Sequence, residues 1–122
     1  MDPEALELVD YYYEAFNLDR RALDILYRDD STMSWEGNVW AGTAAITQML
    51  VDLPFHTLAN EATSCTMQQT MHGGVVASVL GQFVAGNEAA EVLLQYVQTM
   101  VLAKDPRGYW YIQYQVVSFV DY

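Results

Sequence analysis

The chain has 122 residues, 52% of them apolar and only 17% charged, with a formal net charge of −11 at pH 7. That length fits one domain over residues 1–122, and the apolar content builds a core rather than a disordered tail. Five basic residues (Arg20, Arg21, Arg28, Lys104 and Arg107) stand against 16 acids, which excludes the basic footprint that nucleic acid or an anionic membrane surface needs and leaves either attraction of a basic partner or simple solubility as the role of the charge.

Asp2 is placed to cap a helix with Pro3 at its first position, where the missing N–H costs nothing, and Glu4 and Glu7 suit its dipole. The start, Met1-Asp2-Pro3-Glu4, lacks the basic and apolar regions of a signal peptide. No run approaches the ~18 apolar residues of a membrane span, so a soluble intracellular protein is expected. Leu6, Val9, Tyr13 and Phe16 recur at helical spacing and predict one apolar face. Asn17-Leu18 breaks the period, and Asp19 caps a second short helix through Tyr27, with Leu23 and Leu26 inward.

Residues 32–35 and 39–40 read as short strands around a Glu36-Gly37-Asn38 turn. Thr43 is the expected cap of a third helix carrying Ile46, Met49 and Leu50 on one face, and Pro54 ends it. Beyond that point helical periodicity stops. Residues 56–70 are extended and polar-rich, His72-Gly73-Gly74 is a turn, 75–85 is a β-prone run and Gly86-Asn87 is a turn. Long strands over 91–104 and 109–122 flank the turn Asp105-Pro106-Arg107-Gly108. Helices first and long strands afterwards predict an α+β fold: a cone-shaped curved antiparallel sheet wrapped around a long N-terminal helix, with two further short helices. The lone Cys65 permits no intrachain disulfide and no metal pattern, and is expected to be a small buried hydrophobe; no metal and no cofactor are expected.

The run Met33-Ser34-Trp35-Glu36-Gly37-Asn38-Val39-Trp40-Ala41-Gly42, then Leu53-Pro54-Phe55, carries the most information. With Tyr11-Tyr12-Tyr13, Phe16, Asp19-Arg20 and Leu26-Tyr27 upstream, it resembles the nuclear transport factor 2 family. The resemblance is good over residues 5–60 and continues as a pattern of strand lengths after residue 75. It implies a carrier of the GDP form of the GTPase Ran through nuclear pores, found in cytoplasm and nucleus, binding nucleoporin phenylalanine-glycine repeats and dimerising through its sheet. Trp35-Glu36-Gly37 matches the family's cavity rim, where an aromatic side chain of Ran inserts and a carboxylate pairs with a Ran lysine. Glu88 matches one of two further rim acids that grip a Ran arginine. The family's repeat-binding aromatic near the N-terminus has no clear match.

Where the family has Asn-Asp-Ile-Phe-Arg near its end, this chain has Tyr114-Gln115-Val116-Val117-Ser118. The polar contacts of a homodimer seam then fall to Tyr114 and Gln115, with Tyr96 and Tyr111 beside them. The ending Phe119-Val120-Asp121-Tyr122 is similar to the small subunit of the mRNA export receptor, a family cousin, which makes a heterodimer with a related domain the second reading.

The same fold hosts ketosteroid isomerases and dehydratases, with an Asp or His base and a Tyr acid inside the cone. The candidates are Tyr11, Tyr12, Tyr13, His56 and His72. Three consecutive tyrosines point three ways on a helix, and His72 sits in a glycine-rich turn. No acid–base pair has a natural pocket address, and there is no phosphate loop, metal-ligand cluster or nucleophile elbow. A non-enzyme is expected, with a cavity enzyme or small-ligand binder as the third reading.

Overall fold

The computed structural model describes residues 2–53, 57–86 and 90–120. Helix α1 (Pro3–Leu18) starts as its sequence dictates: the Asp2 carboxylate accepts the Glu4 N–H at 2.9 Å, with Pro3 in the first turn. A 3-10 helix (Arg20–Leu26) follows, capped by the Asp19 carboxylate on the Arg21 N–H at 3.1 Å. Then come β1 (Thr32–Trp35), β2 (Asn38–Ala41), α2 (Thr43–Val51), β3 (Thr57–Gln69), a 3-10 turn (Met71–Gly73), β4 (Val75–Gly86), β5 (Glu91–Lys104) and β6 (Trp110–Phe119).

The six strands form one curved sheet in the order β2-β1-β6-β5-β4-β3. All neighbours are antiparallel except β1 and β6, which run parallel with Trp35 opposite Val117. The β3–β6 meander folds back so that its last strand lies along the early β1–β2 hairpin. That hairpin turns on Glu36 and Gly37, with φ of 50° and 85°. Two central residues at positive φ make the turn whose twist suits a two-residue hairpin.

The helices cover one face of this sheet. α1 buries Ala5, Leu8, Val9, Tyr12, Ala15 and Phe16. This stripe is rotated from the expected one: Leu6 is 50% exposed and Tyr13 is only half-buried. Ala5 and Ala15 carry no weight in a periodicity count, yet their small side chains let the helix approach the concave sheet on that side. Leu23 and Leu26 point inward as expected, and so do Ile46 and Leu50, with Met49 partly covered. α2 is entered through Gly42 at φ 85°, which has no side chain to bond, and Thr43 is the first helical residue rather than the cap. Cys65 is exposed, contrary to its expected burial, because β3 is an edge strand with a neighbour on one side only. No helix among the described residues is long and apolar enough to cross a membrane.

One glycine is dictated by a close approach. Gly81 lies opposite Tyr96, beside the register shift of β3 at Ala62/Ser64. A Cβ there would sit 2.5 Å from Tyr96 Cζ and 2.7 Å from the Glu61 carbonyl oxygen. Replacing Gly81 by Ala is expected to destabilise the fold by about 1–3 kcal/mol through overpacking. Urea unfolding measures this, and an unchanged midpoint would mean that the Tyr96 ring yields freely.

Candidate functional site

Two regions can carry function: the interior of the cone and its open end. The interior is filled by a chain of phenols and amides. Tyr27 Oη donates to Gln115 Oε1 at 2.7 Å. Gln115 Nε2 donates to Tyr12 Oη at 3.0 Å and to Gln98 Oε1 at 2.7 Å. Gln98 Nε2 donates to Tyr13 Oη at 3.0 Å. The Tyr13 and Tyr96 hydroxyls lie 3.2 Å apart, and Tyr96 Oη donates to Asn60 Oδ1 at 2.5 Å.

Burial away from water pushes the pKa of Tyr12, Tyr13, Tyr27 and Tyr96 upward, since the phenolate would be poorly solvated there. Phenols raised in this way are worse proton donors than free tyrosine. No carboxylate or imidazole takes part in these hydrogen bonds. The arrangement therefore cross-links the core and offers no acid–base pair. Of the expected catalytic candidates, Tyr11 donates outward to the Ala22 carbonyl at 2.8 Å, His72 is exposed at φ 67°, and His56 lies outside the described residues. Asn60 and Gln98 are the interior residues that reading the sequence missed, and Gln115, expected at a subunit seam, lies inside with them. The signal for them was indirect: three buried tyrosine hydroxyls and a half-buried fourth need partners.

The open end has a different character. Phe16 packs on Phe83 with ring centroids 5.7 Å apart, and Phe83 packs on Trp35 at 5.5 Å. Phe119 meets Trp35 edge-on at 5.9 Å and Phe83 at 6.0 Å. Phe16 and Phe83 are buried, while Trp35 and Phe119 stay partly open, so the mouth has an aromatic floor. Beside it lies an apolar groove of ≈ 550 Å³ lined by Trp35, Trp40, Met49 and Leu53, with Gln48 and Asp52 at its edge.

Glu36 follows Trp35 at this rim and is exposed. Its N–H donates to the Val117 carbonyl at 3.0 Å, and its carboxylate accepts the Phe119 N–H. The end of β6 thus holds this carboxylate in place beside the aromatic floor. A fixed acid next to an apolar opening can pair with one cation under weaker solvent screening than a free surface acid. Glu88, the other expected rim acid, lies outside the described residues, as do Pro54 and Phe55.

The sheet face away from the helices is the third feature. Leu80 (50% exposed) pairs with Val97 (43%), and Val116 (47%) and Tyr114 (48%) continue the row on β6. Of the four residues expected at a subunit seam, only Tyr114 is exposed. Tyr96 and Gln115 are buried in the interior chain, so their expected place at the seam is corrected. Tyr111 is also buried: its hydroxyl donates to Asp30 at 2.9 Å and the Arg28 guanidinium lies 5.3 Å from its ring centroid. A register shift on β5 at Val101/Leu102 breaks the two-residue alternation along β6, so faces cannot be counted across it. Among the described residues no cluster of His, Cys, Asp or Glu could hold a metal ion.

Comparison with known proteins bears on these features. Residues 4–116 match the family described as the nuclear transport factor 2 domain. Nuclear transport factor 2 of Neurospora crassa is 34% identical over 116 residues, covering 95% of this chain and 92% of that protein. The solved nuclear transport factor 2 of Cryptosporidium parvum superposes with a TM-score of 0.82 at 24% identity, covering 93% of this chain and 90% of that one. A structure from Novosphingobium aromaticivorans assigned as a scytalone dehydratase shares the fold at a TM-score of 0.77 and 14% identity, covering 98% and 83%.

The interior makes a pH prediction. The buried phenols have folded pKa values above the ordinary 10.0, so the stability they confer is complete below about pH 10 and is lost as pH rises through the folded values. Tyrosinate absorbance is expected to rise in two steps, the second coinciding with loss of folded structure by circular dichroism. One step with the fold intact would mean that these hydroxyls reach water.

Proposed function

The chain belongs to the nuclear transport factor 2 family, and from that membership we propose that it is a non-catalytic nucleocytoplasmic transport factor that binds the GDP form of Ran at the open end of its cone. The observation that carries this reading is Glu36, held by the β6 backbone beside Trp35 and its aromatic floor. An aromatic side chain of the partner packs at the Trp35 rim, and a lysine pairs with Glu36. Glu88 serves as a second rim acid. The net charge of −11 attracts a basic partner to the protein, and Glu36 receives it at this end. The same protein engages nucleoporin phenylalanine-glycine repeats and moves between cytoplasm and nucleus.

The interior supports this reading over the cavity-enzyme one, because its phenols and its Gln98 and Gln115 amides are bonded to one another and no carboxylate or imidazole joins them. The open sheet face supports a homodimer. Leu80, Val97, Tyr114 and Val116 form an apolar row that a second copy covers, while Gln115 and Tyr96 brace the sheet from beneath.

Glu36→Lys is expected to weaken binding to GDP-loaded Ran by about 2–5 kcal/mol, measured by calorimetry, with an unchanged thermal melt. Wild-type protein is expected to ignore Ran carrying a GTP analogue; equal binding of both forms would refute the transport reading. The association rate is expected to fall steeply as salt rises, the Debye length being about 8–10 Å at 0.1–0.15 M.

Light scattering at micromolar concentration is expected to give about twice 13.8 kDa. Val97→Arg is expected to reduce this to the monomer mass, because it places a charge in the covered row. A wild-type monomer that assembles only with a related domain would instead select the export-receptor subunit reading.

A further inference from the structure

The open end is bounded by a base as well as an acid. Arg20 follows Asp19 directly after α1, and its guanidinium lies over the Phe16 ring, 5.8 Å from the centroid. Phe16 packs on Phe83, and Phe83 on Trp35. One continuous run of rings thus leads from Arg20 to the Trp35–Glu36 rim. The β1, β3, β4, β5 and β6 ends that supply Trp35, Asn60, Phe83, Tyr96 and Val117 lie together at this end.

Of the other cations, Arg21 lines the same cleft as Arg20, and the remaining three are engaged elsewhere. Arg28 is occupied by Asp105 at 3.3 Å and by the Ile25 and Tyr27 carbonyls at 2.8 and 2.9 Å. Lys104 pairs with Asp2 at 3.4 Å. Arg107 lies over Tyr109 in the turn between β5 and β6, at the opposite end of the sheet. Among the described residues the Arg20 guanidinium makes no ion pair and no hydrogen bond. The nearest acid in sequence, Asp19, directs its carboxylate to the Arg21 N–H. Arg20 also lines a cleft of ≈ 680 Å³ with Phe16 and Val84, and the charged residues around it are Arg21, Asp19 and Glu91; of the two arginines only Arg20 is stacked on a ring. A planar guanidinium stacked on a ring, with its N–H donors unused and an open cleft before it, is preorganised for a carboxylate.

We propose that Arg20 is a specificity-determining residue of the rim: the partner that gives its basic residue to Glu36 gives a carboxylate of the same docking surface to Arg20. This rests on the transport reading above. The occupant is the side chain of an aspartate or glutamate on an otherwise basic protein surface. A polyanion is disfavoured, because the net charge of −11 repels it and Glu91 lines the same cleft. Acid at one side of an aromatic floor and base at the other give the interface a polarity: a partner with the reverse order of charges meets like charge at both positions.

Charge steering and carboxylate recognition predict opposite signs, which makes the proposal testable. Arg20→Glu and Arg107→Glu each make the net charge more negative by the same amount, and only the first changes the rim. Calorimetry with GDP-loaded Ran is the measurement, with Arg20→Gln and Arg20→Lys alongside and thermal melts confirming that each variant folds. Arg20→Glu is expected to weaken binding about tenfold or more, Arg20→Gln less, and Arg20→Lys least, while Arg107→Glu binds as tightly as wild type or tighter. Binding by Arg20→Glu equal to or tighter than that of Arg107→Glu overturns the role of Arg20 and leaves the transport reading standing. Absence of binding by the wild type overturns both.

Discussion

The structure depends on one interaction: a chain of phenols and amides inside the cone, in which, among the described residues, every side chain bonds to at least one other and only the Asn60 Nδ2 is left without a partner. Gln115 on β6 joins Tyr12 of α1, Tyr27 after the 3-10 helix and Gln98 of β5. Asn60 on β3 extends the chain through Tyr96. Asn60 and Asn17 also form a reciprocal clamp, with the Asn60 N–H on Asn17 Oδ1 at 2.6 Å and Asn17 Nδ2 on the Asn60 carbonyl at 2.9 Å. Each bond contributes only about 1 kcal/mol net, but a member left without its partner costs about 1–3 kcal/mol in desolvation. The penalty for misfitting is what ties α1 to one position against β3, β5 and β6.

That fixed position determines the rim. With α1 held, Phe16 meets Phe83, and Phe83 supports Trp35. The parallel pairing of β1 with β6 sets Trp35 opposite Val117, so the next residue, Glu36, reaches the Phe119 N–H. A carboxylate in a turn would ordinarily wander; here both its backbone and its side chain are bonded to the same strand end. The geometry of the rim is thus set by contacts made elsewhere in the fold.

Interior and mouth divide the work. In this chain most of the interior phenols and amides are bonded to one another, whereas the mouth presents open aromatic and charged side chains. The charge distribution agrees with that division. Acids are spread over the chain, most of the basic side chains are engaged locally, and Arg20 stays available at the mouth.

Much of this was legible in the sequence because it is local. The Asp2 and Asp19 caps, the Glu36-Gly37 turn and the span of β5 follow from short-range rules of capping, φ and β propensity. The Trp35-Glu36-Gly37 run gave the hairpin turn and, through the family resemblance, the family that the comparisons show. What the sequence could not decide were facings and partners. The α1 stripe is centred on Ala5 and Tyr12 because a concave sheet receives it, and no periodicity count registers small residues that let the sheet come close. Gly42 enters α2 because the backbone there is at positive φ, which Thr43 would adopt only with strain. Gln115 and Tyr96 face inward, Tyr111 is enclosed by Asp30 and Arg28, and only Tyr114 looks out, because strand pairing and a register shift set the faces of β6. Alternation along a strand tells which residues share a face. Only the packed sheet decides which face meets the helices, since that choice is made by contacts between residues far apart in the chain.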